Sequence, residues 1–351
     1  MDHWMYGIDP ERKKGSAHHL KNLGFTAVVT GYDKEISEAA SEAGLDHYVC
    51  MGTYIYDPAY MDESYLALDI NGKRQHWFGS TCPCKEAVIQ RALKTADKIS
   101  SDTGAKGVFI DGARFSSPCS SGDIDSFFTC FCSDCEKKAV GYGIDFEAMR
   151  TDVKKTYDML MSGKTEGFDI DHLKDWFKFR RIHTTEFLKE FSSIVRNYKK
   201  ETGIFIFPPS LSCIVGQSYR DLSPYMDIFS PMIYRNFKEA LGPACLNYEL
   251  AALCELLPLD MISGYTRLPL DGYITPDDIR KGLPASFIGI ESKRAKDMTV
   301  DPNILAPIIL LDDEHIQESI QEAEKAGAEK VIFFHYDPSI VSSKEFLWNY
   351  T

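Results

Sequence analysis

One alternation governs what this chain can become. A short apolar, β-rich run is followed by a longer stretch of helical periodicity, and the pair recurs eight times along 351 residues. The runs are HWMYGID (3–9), TAVVTGY (26–32), HYVCMGTY (47–54), GVFIDGARF (107–115), GIFIFPPS (203–210), IFSPMIYR (228–235), ILAPIILLD (304–312) and KVIFFHYD (330–337). Strands that each lead into a helix return parallel to one another, because the crossover brings the chain back to the same edge of the sheet. Eight such units predict a single (β/α)8 barrel over 1–351. The connecting stretches support this: KEISEAASEAGL (34–45) and EHIQESIQEAEKAGAEK (314–330) have helix composition and end near a glycine suited to a left-handed cap. TPDD (275–278) reads as a helix start.

Two connections are longer than a crossover needs. They are 55–86, after the third run, and 116–170, after the fourth. Loops that follow barrel strands gather on the C-terminal face, where barrel active sites are built, so both insertions are expected to wall a site. No repeat or low-complexity linker marks off a second domain.

Charge narrows the partners. A formal net charge of -13 argues against nucleic acid or an anionic membrane and favours a neutral or cationic small substrate. The opening MDHWMYGIDPERKKG lacks the basic-then-apolar plan of a leader, and no window nears the roughly 18 apolar residues of a membrane span, so a cytoplasmic location is expected. Nothing in the sequence argues against a homo-oligomer.

The fourth run ends on Asp111, with Gly112, Ala113 and Arg114 behind it. A carboxylate at the end of a buried strand must be solvated, paired or used, since burying it alone costs several kcal/mol. The plain alternative is a structural Asp111–Arg114 pair closing the strand. Other candidates stand at the ends of the remaining runs: Asp9; Tyr234 and Arg235 with Glu239 beyond them; Asp312 within LLDDEH; and His335 with Asp337. Trp77, in the first insertion, is the aromatic best placed to stack on a ligand.

KGVFIDGARF, DWFKFRRIHTTEFLKEFSSIVR and DIFSPMIYR, in that order, resemble signatures of glycoside-hydrolase-like TIM barrels, including hypothetical glycosyl hydrolase groups, and LALDINGKRQHWFGSTCPC resembles a loop of such proteins. The resemblance implies cleavage of a glycosidic bond by two carboxylates, with no catalytic cofactor. It puts Asp111 in the nucleophile or charge-stabilising position. For the second carboxylate Asp312 ranks first and Glu239 next, and Arg114, Trp77, Tyr234, Arg235, His335 and Asp9 are expected to meet a carbohydrate. Strand six carries Tyr234 and Arg235 where a relative might carry an acid. That departure opens an alternative, a carbohydrate-binding barrel that has lost its acid/base residue.

CFCSDC places Cys130, Cys132 and Cys135 within reach of one ion, and Cys119 lies 11 residues upstream. Four thiolates would close a structural zinc site. The spacing is similar to the cluster of family-42 β-galactosidases, in which a more distant cysteine joins the trio, so Cys82 or Cys84 could replace Cys119; reduced thiols in a loop are the alternative. Cys50, Cys213, Cys245 and Cys254 read as core filler. The H-x-H of an amidohydrolase, a glycine-rich phosphate turn and a nucleophile elbow are all missing.

Overall fold

The computed structural model describes residues 1–102, 104–238 and 245–344. Its strands are β1 (Asp2–Tyr6), β2 (Ala27–Thr30), β3 (Asp46–Gly52), β4 (Ala67–Leu68), β5 (Arg74–Gln75), β6 (Gly107–Asp111), β7 (Glu201–Ile206), β8 (Ile228–Pro231), β9 (Ile304–Leu305), β10 (Ile308–Leu310) and β11 (Lys330–Phe334). Nine of them make one large, curled parallel sheet in the order β10-β11-β1-β2-β3-β6-β7-β8-β9, and β4 pairs with β5 as a small antiparallel hairpin.

All eight apolar runs lie in the parallel sheet, and the seventh supplies both of its outer segments, because it changes partner at Ala306 and Pro307. Ala306 still donates to the Phe229 carbonyl, 2.9 Å, whereas the Pro307 carbonyl accepts from Ile332, 3.0 Å. Proline has no N–H to give, so a ladder is interrupted where it stands. Beyond it, Ile308 accepts from Ile233 at 3.1 Å while β10 pairs with β11.

Side chains alternate across a strand, so inward positions can be followed upward in layers. Trp4 stacks on Tyr48 with ring centres 4.7 Å apart, Tyr48 meets Phe109 edge-on at 5.6 Å, and Phe109 meets Phe205 at 4.9 Å. Room for these rings comes from glycine on the neighbouring strand. A Cβ on Gly107 would stand 2.8 Å from the Tyr48 ring, and one on Gly203 2.6 Å from that of Phe109. In the same inward rows, two residues further on, stand Tyr6, Cys50 and Asp111.

Helices follow the strands as the periodicity predicts, among them Lys34–Ala43 capped by left-handed Gly44, Glu86–Asp102, Lys174–Asn197 and Ile316–Lys325. Thr275 and Asp278 form a capping box at Pro276–Arg280. The two insertions pair with each other: Phe131 donates to Leu68 at 2.8 Å and Ile70 to Phe128 at 3.0 Å.

Candidate active site and metal centre

Asp111 ends β6 in the row above the aromatic layer. Its Oδ1 accepts the Gly112 N–H at 2.7 Å, and its carbonyl accepts from the Thr53 N–H and hydroxyl at 3.0 and 2.8 Å. Gly112 has φ +71, where side chains other than glycine are strained. Burial pushes the Asp111 carboxyl up, against the pull of Arg114 and of the Gly112 N–H. Tyr6 and Tyr234 feel the Asp111 charge and are themselves pushed up, Tyr6 chiefly by Cys50 and Tyr234 chiefly by burial. Both phenols therefore stay protonated beside the carboxylate. Cys50, expected as core filler, belongs to this group, with the Tyr6 hydroxyl 3.9 Å from its sulfur.

Arg114 forms no ion pair with Asp111 within 4 Å among the described residues, so the strand end is not closed by a simple pair. Its Nη1 donates to the Phe115 carbonyl and the Ser120 hydroxyl, both at 3.0 Å, and its guanidinium carbon lies 4.7 Å from the centre of the Phe207 ring. It also lies 5.8 Å from the Phe78 ring.

A cavity of about 390 Å³ opens beside this cluster, lined by Phe334, His335, Asp312, Asp337, Lys238 and neighbouring residues. Phe334 joins it to Asp111's surroundings, its ring 5.3 Å from that of Tyr6 and 5.2 Å from that of Tyr234. Asp312 faces the cavity, half exposed, 3.7 Å from Lys238 Nζ. Asp337 caps Pro338–Ser343 through the amides of Ser339 and Ile340.

Several expected residues are placed otherwise. Arg235 is buried and committed to Asp313, to the Leu283 carbonyl and to Ser319; Asp313 also accepts from Ser319, 2.7 Å, and His315, 2.8 Å. Its guanidinium joins strand ends and is not offered to a ligand. Trp77 is 2% exposed and packed in the core, whereas Phe78, at φ +48, is 47% exposed. Tyr234 is buried at 2%. Asp9 spends its Oδ1 on the Glu11 N–H, 2.9 Å, in its own turn. Glu239 lies outside the described residues.

The cysteine set is corrected at one position. Cys82, Cys130, Cys132 and Cys135 are buried with their sulfurs all within 4.8 Å of one another; Cys119 is not among them. Cys82 lies 3.5 Å from Cys135 and 3.7 Å from Cys132, and Cys132 lies 3.7 Å from Cys135. A tetrahedral ion with bonds of about 2.3 Å sets its sulfurs about 3.8 Å apart, so these four could hold one metal ion. Two amides point at the sulfurs, Leu68 N–H to Cys130 at 3.2 Å and Cys84 N–H to Cys82 at 3.4 Å, as suits thiolate acceptors. The pairing of the two insertions is what delivers Cys82 to the trio. Cys213, expected in the core, is exposed.

Sequence reasoning passed over Glu249. It is buried on the helix Leu246–Leu256 and accepts from the Ser117 hydroxyl and from the Cys119 N–H at 3.0 Å. Burial pushes its carboxyl up to about 6, opposed by the Ser117 hydrogen bond and the charge of Arg114. Arg114 thus acts on two carboxyls, the half-buried Asp111 and the buried Glu249.

No protein-family model matches the chain, and no curated protein matches it in sequence. Solved structures do match in fold, several glycoside hydrolases among them. The glycoside hydrolase domain of PgaB from Bordetella bronchiseptica is 12% identical with a TM-score of 0.63, covering 99% of this chain and 98% of that one. The catalytic domain of β-amylase from Paenibacillus polymyxa is 12% identical with a TM-score of 0.61, over 95% and 92%. An α-L-fucosidase from Paenibacillus thiaminolyticus is 10% identical with a TM-score of 0.53, and this chain, matched along 100% of its length, spans 51% of it. At such identities the likeness is one of fold.

Proposed function

We propose that the chain is one (β/α)8-barrel domain, the stretch 304–310 closing the sheet, and that it is a glycosidase acting on a small glycoside or oligosaccharide. The observation that carries this reading is Asp111, a half-buried carboxyl at the C-terminal end of a sheet strand, its proton affinity raised by desolvation and its charge felt by the protonated phenols of Tyr6 and Tyr234, whose rings meet Phe334 in the wall of a cavity of about 390 Å³. Glycosidic cleavage builds positive charge on the sugar ring, and a carboxylate held in low dielectric stabilises or bonds that centre strongly. Tyr6 and Tyr234, held protonated, bring no competing anion. A second carboxyl gives a proton to the leaving oxygen; Asp312, facing the cavity beside His335, is assigned that role. Arg114, Phe78 and His335 line the approach of a carbohydrate. The fold shared with glycoside hydrolases supports the same reading. No helix among the described residues is long and apolar enough to cross a membrane, and a cytoplasmic location is part of the proposal.

The four-cysteine centre is assigned zinc in a structural role. Its four sulfurs leave no coordination position for substrate, and bound zinc would pin the two insertions together.

The test is hydrolysis of a panel of aryl α- and β-glycosides by the wild type and by Asp111→Asn, with folding matched by circular dichroism. A loss of about a thousandfold is expected of the variant. Full activity in Asp111→Asn would remove the residue from the reaction, and sugar binding without any cleavage by the wild type would favour the carbohydrate-binding barrel.

A further inference from the structure

Arg180 is wholly buried in the helix Lys174–Asn197 and has no carboxylate partner among the described residues. Its donors go instead to four backbone carbonyls: Nη1 to Ser116 at 3.2 Å and Ile214 at 2.6 Å, Nη2 to Phe127 at 2.6 Å and Thr129 at 2.5 Å. Its guanidinium lies 3.7 Å from the centre of the Trp176 ring, and its Nε is without an acceptor. Carbonyl dipoles and a ring face orient a cation without cancelling its charge, and an uncompensated buried charge costs several kcal/mol. The missing anion has a source next door. Thr129, one of the four acceptors, is bonded directly to Cys130, and four thiolates around a divalent ion carry a net charge of minus two. Burial lowers the affinity of Arg180 for its proton, and Arg114 adds to that; thiolate charge at Cys130 and Cys135 pulls the other way. The other cation beside the cluster, Lys85, is already bonded to Asp134 at 2.7 Å.

The carbonyls that Arg180 holds belong to three separate segments. Phe127 and Thr129 lead into the cysteine loop, Ser116 follows Arg114 in the wall of the candidate active site, and Ile214 lies in the loop after β7. The last two also touch each other's neighbours, with Phe115 donating to Val215 at 3.0 Å. Gly216, at φ +82, lets this loop approach; a Cβ there would stand 2.7 Å from that of Arg180.

We propose that Arg180 is the charge partner of the metal-loaded four-cysteine centre, and the joint through which metal occupancy positions the wall that carries Arg114. It is a positioning residue; it touches neither sulfur nor substrate. The proposal rests on the assignment of a metal to the centre, and the experiment separates the two. Metal per chain is first measured on purified wild type by elemental mass spectrometry. About one zinc is expected, and none would overturn both readings together.

Release of zinc to a chromogenic chelator is then timed for wild type, Arg180→Lys and Arg180→Met. Loss of the charge should speed release by roughly tenfold or more, the usual scale for removing an outer partner of a metal site, and the lysine variant should stay nearer the wild type. Equal rates in all three would leave the metal in place and overturn the role of Arg180. Should Arg180→Met fail to fold, the wild type alone still decides. Hydrogen–deuterium exchange before and after chelation should lose protection at 115–117 and 213–216 as well as at 127–135. Loss confined to 127–135 would overturn the joint.

Discussion

At the scale of single residues, burial decides more than sequence position does. Asp111 and Glu249 are both carboxyls pushed up by desolvation, yet one ends β6, half-buried, with its Oδ1 on the Gly112 N–H, and the other is fastened to the 117–119 turn. Glu249 makes the cleaner stability prediction. Its carboxyl is raised from 4.5 to about 6, so the folded state binds its proton more tightly than the unfolded chain does. The resulting stability is complete below the unfolded value and is lost as pH rises through about 6. The wild type should lose about 2 kcal/mol from this group between those limits, at 1.36 kcal/mol per pKa unit. Glu249→Gln, unable to ionise, should lack that part of the slope. Urea midpoints across this pH range, compared between the two proteins, measure the difference, and identical slopes would show that Glu249 ionises as freely folded as unfolded. Glu249 was legible in principle: it stands on the same helical face as Leu246 and Leu250, where an acid among apolar residues is out of place. Nothing in the linear pattern, however, tells a buried acid from one that caps or snorkels.

Elements explain which expectations survived. Every β-rich run became a strand because a short continuous apolar run, buried on both faces, and flanking helices agreed, and Asp111 could be placed at a strand end because it closes such a run. The choice between Trp77 and Phe78 was not available from composition. It depends on a turn at φ +48 that sends one ring inward and its neighbour out. Trp77→Ala should therefore cost about 3–5 kcal/mol of stability in denaturant unfolding. Phe78→Ala should leave stability nearly unchanged and raise KM for a cleaved glycoside; the opposite pattern would reverse the two assignments. The fourth cysteine was hidden for a related reason. CFCSDC fixes three ligands by local spacing, but the fourth arrives through the pairing of Leu68 and Ile70 with Phe131 and Phe128, a contact between insertions that no spacing encodes. Cys82→Ser should lose bound metal, and Cys119→Ser should retain it, as read by metal content per chain. Arg235 and Asp313 show the same limit, since adjacency of strand ends in space, and not in sequence, turned an expected ligand for sugar into a structural pair.

Across the whole molecule the parallel sheet sets the order in which structure can be completed. β1 pairs with β11 from Asp2↔Lys330 to Tyr6↔Phe334, so the first strand finds one of its two neighbours more than 300 residues later. Contacts of such separation are slow to form, because the loop between them must close before they reward it. A chain ended after residue 329 would lack β11 altogether and should be recovered in aggregates, measured as the soluble fraction after expression; a soluble, monomeric product would mean that the remaining strands suffice. The same pairing has a consequence for synthesis. While the ribosome is still at work, β1 waits with one edge unmet, and the rings of Trp4 and Tyr6 are without the last wall of their enclosure. β1 is thus a sticky strand from the moment it is made until β11 emerges to pair with it.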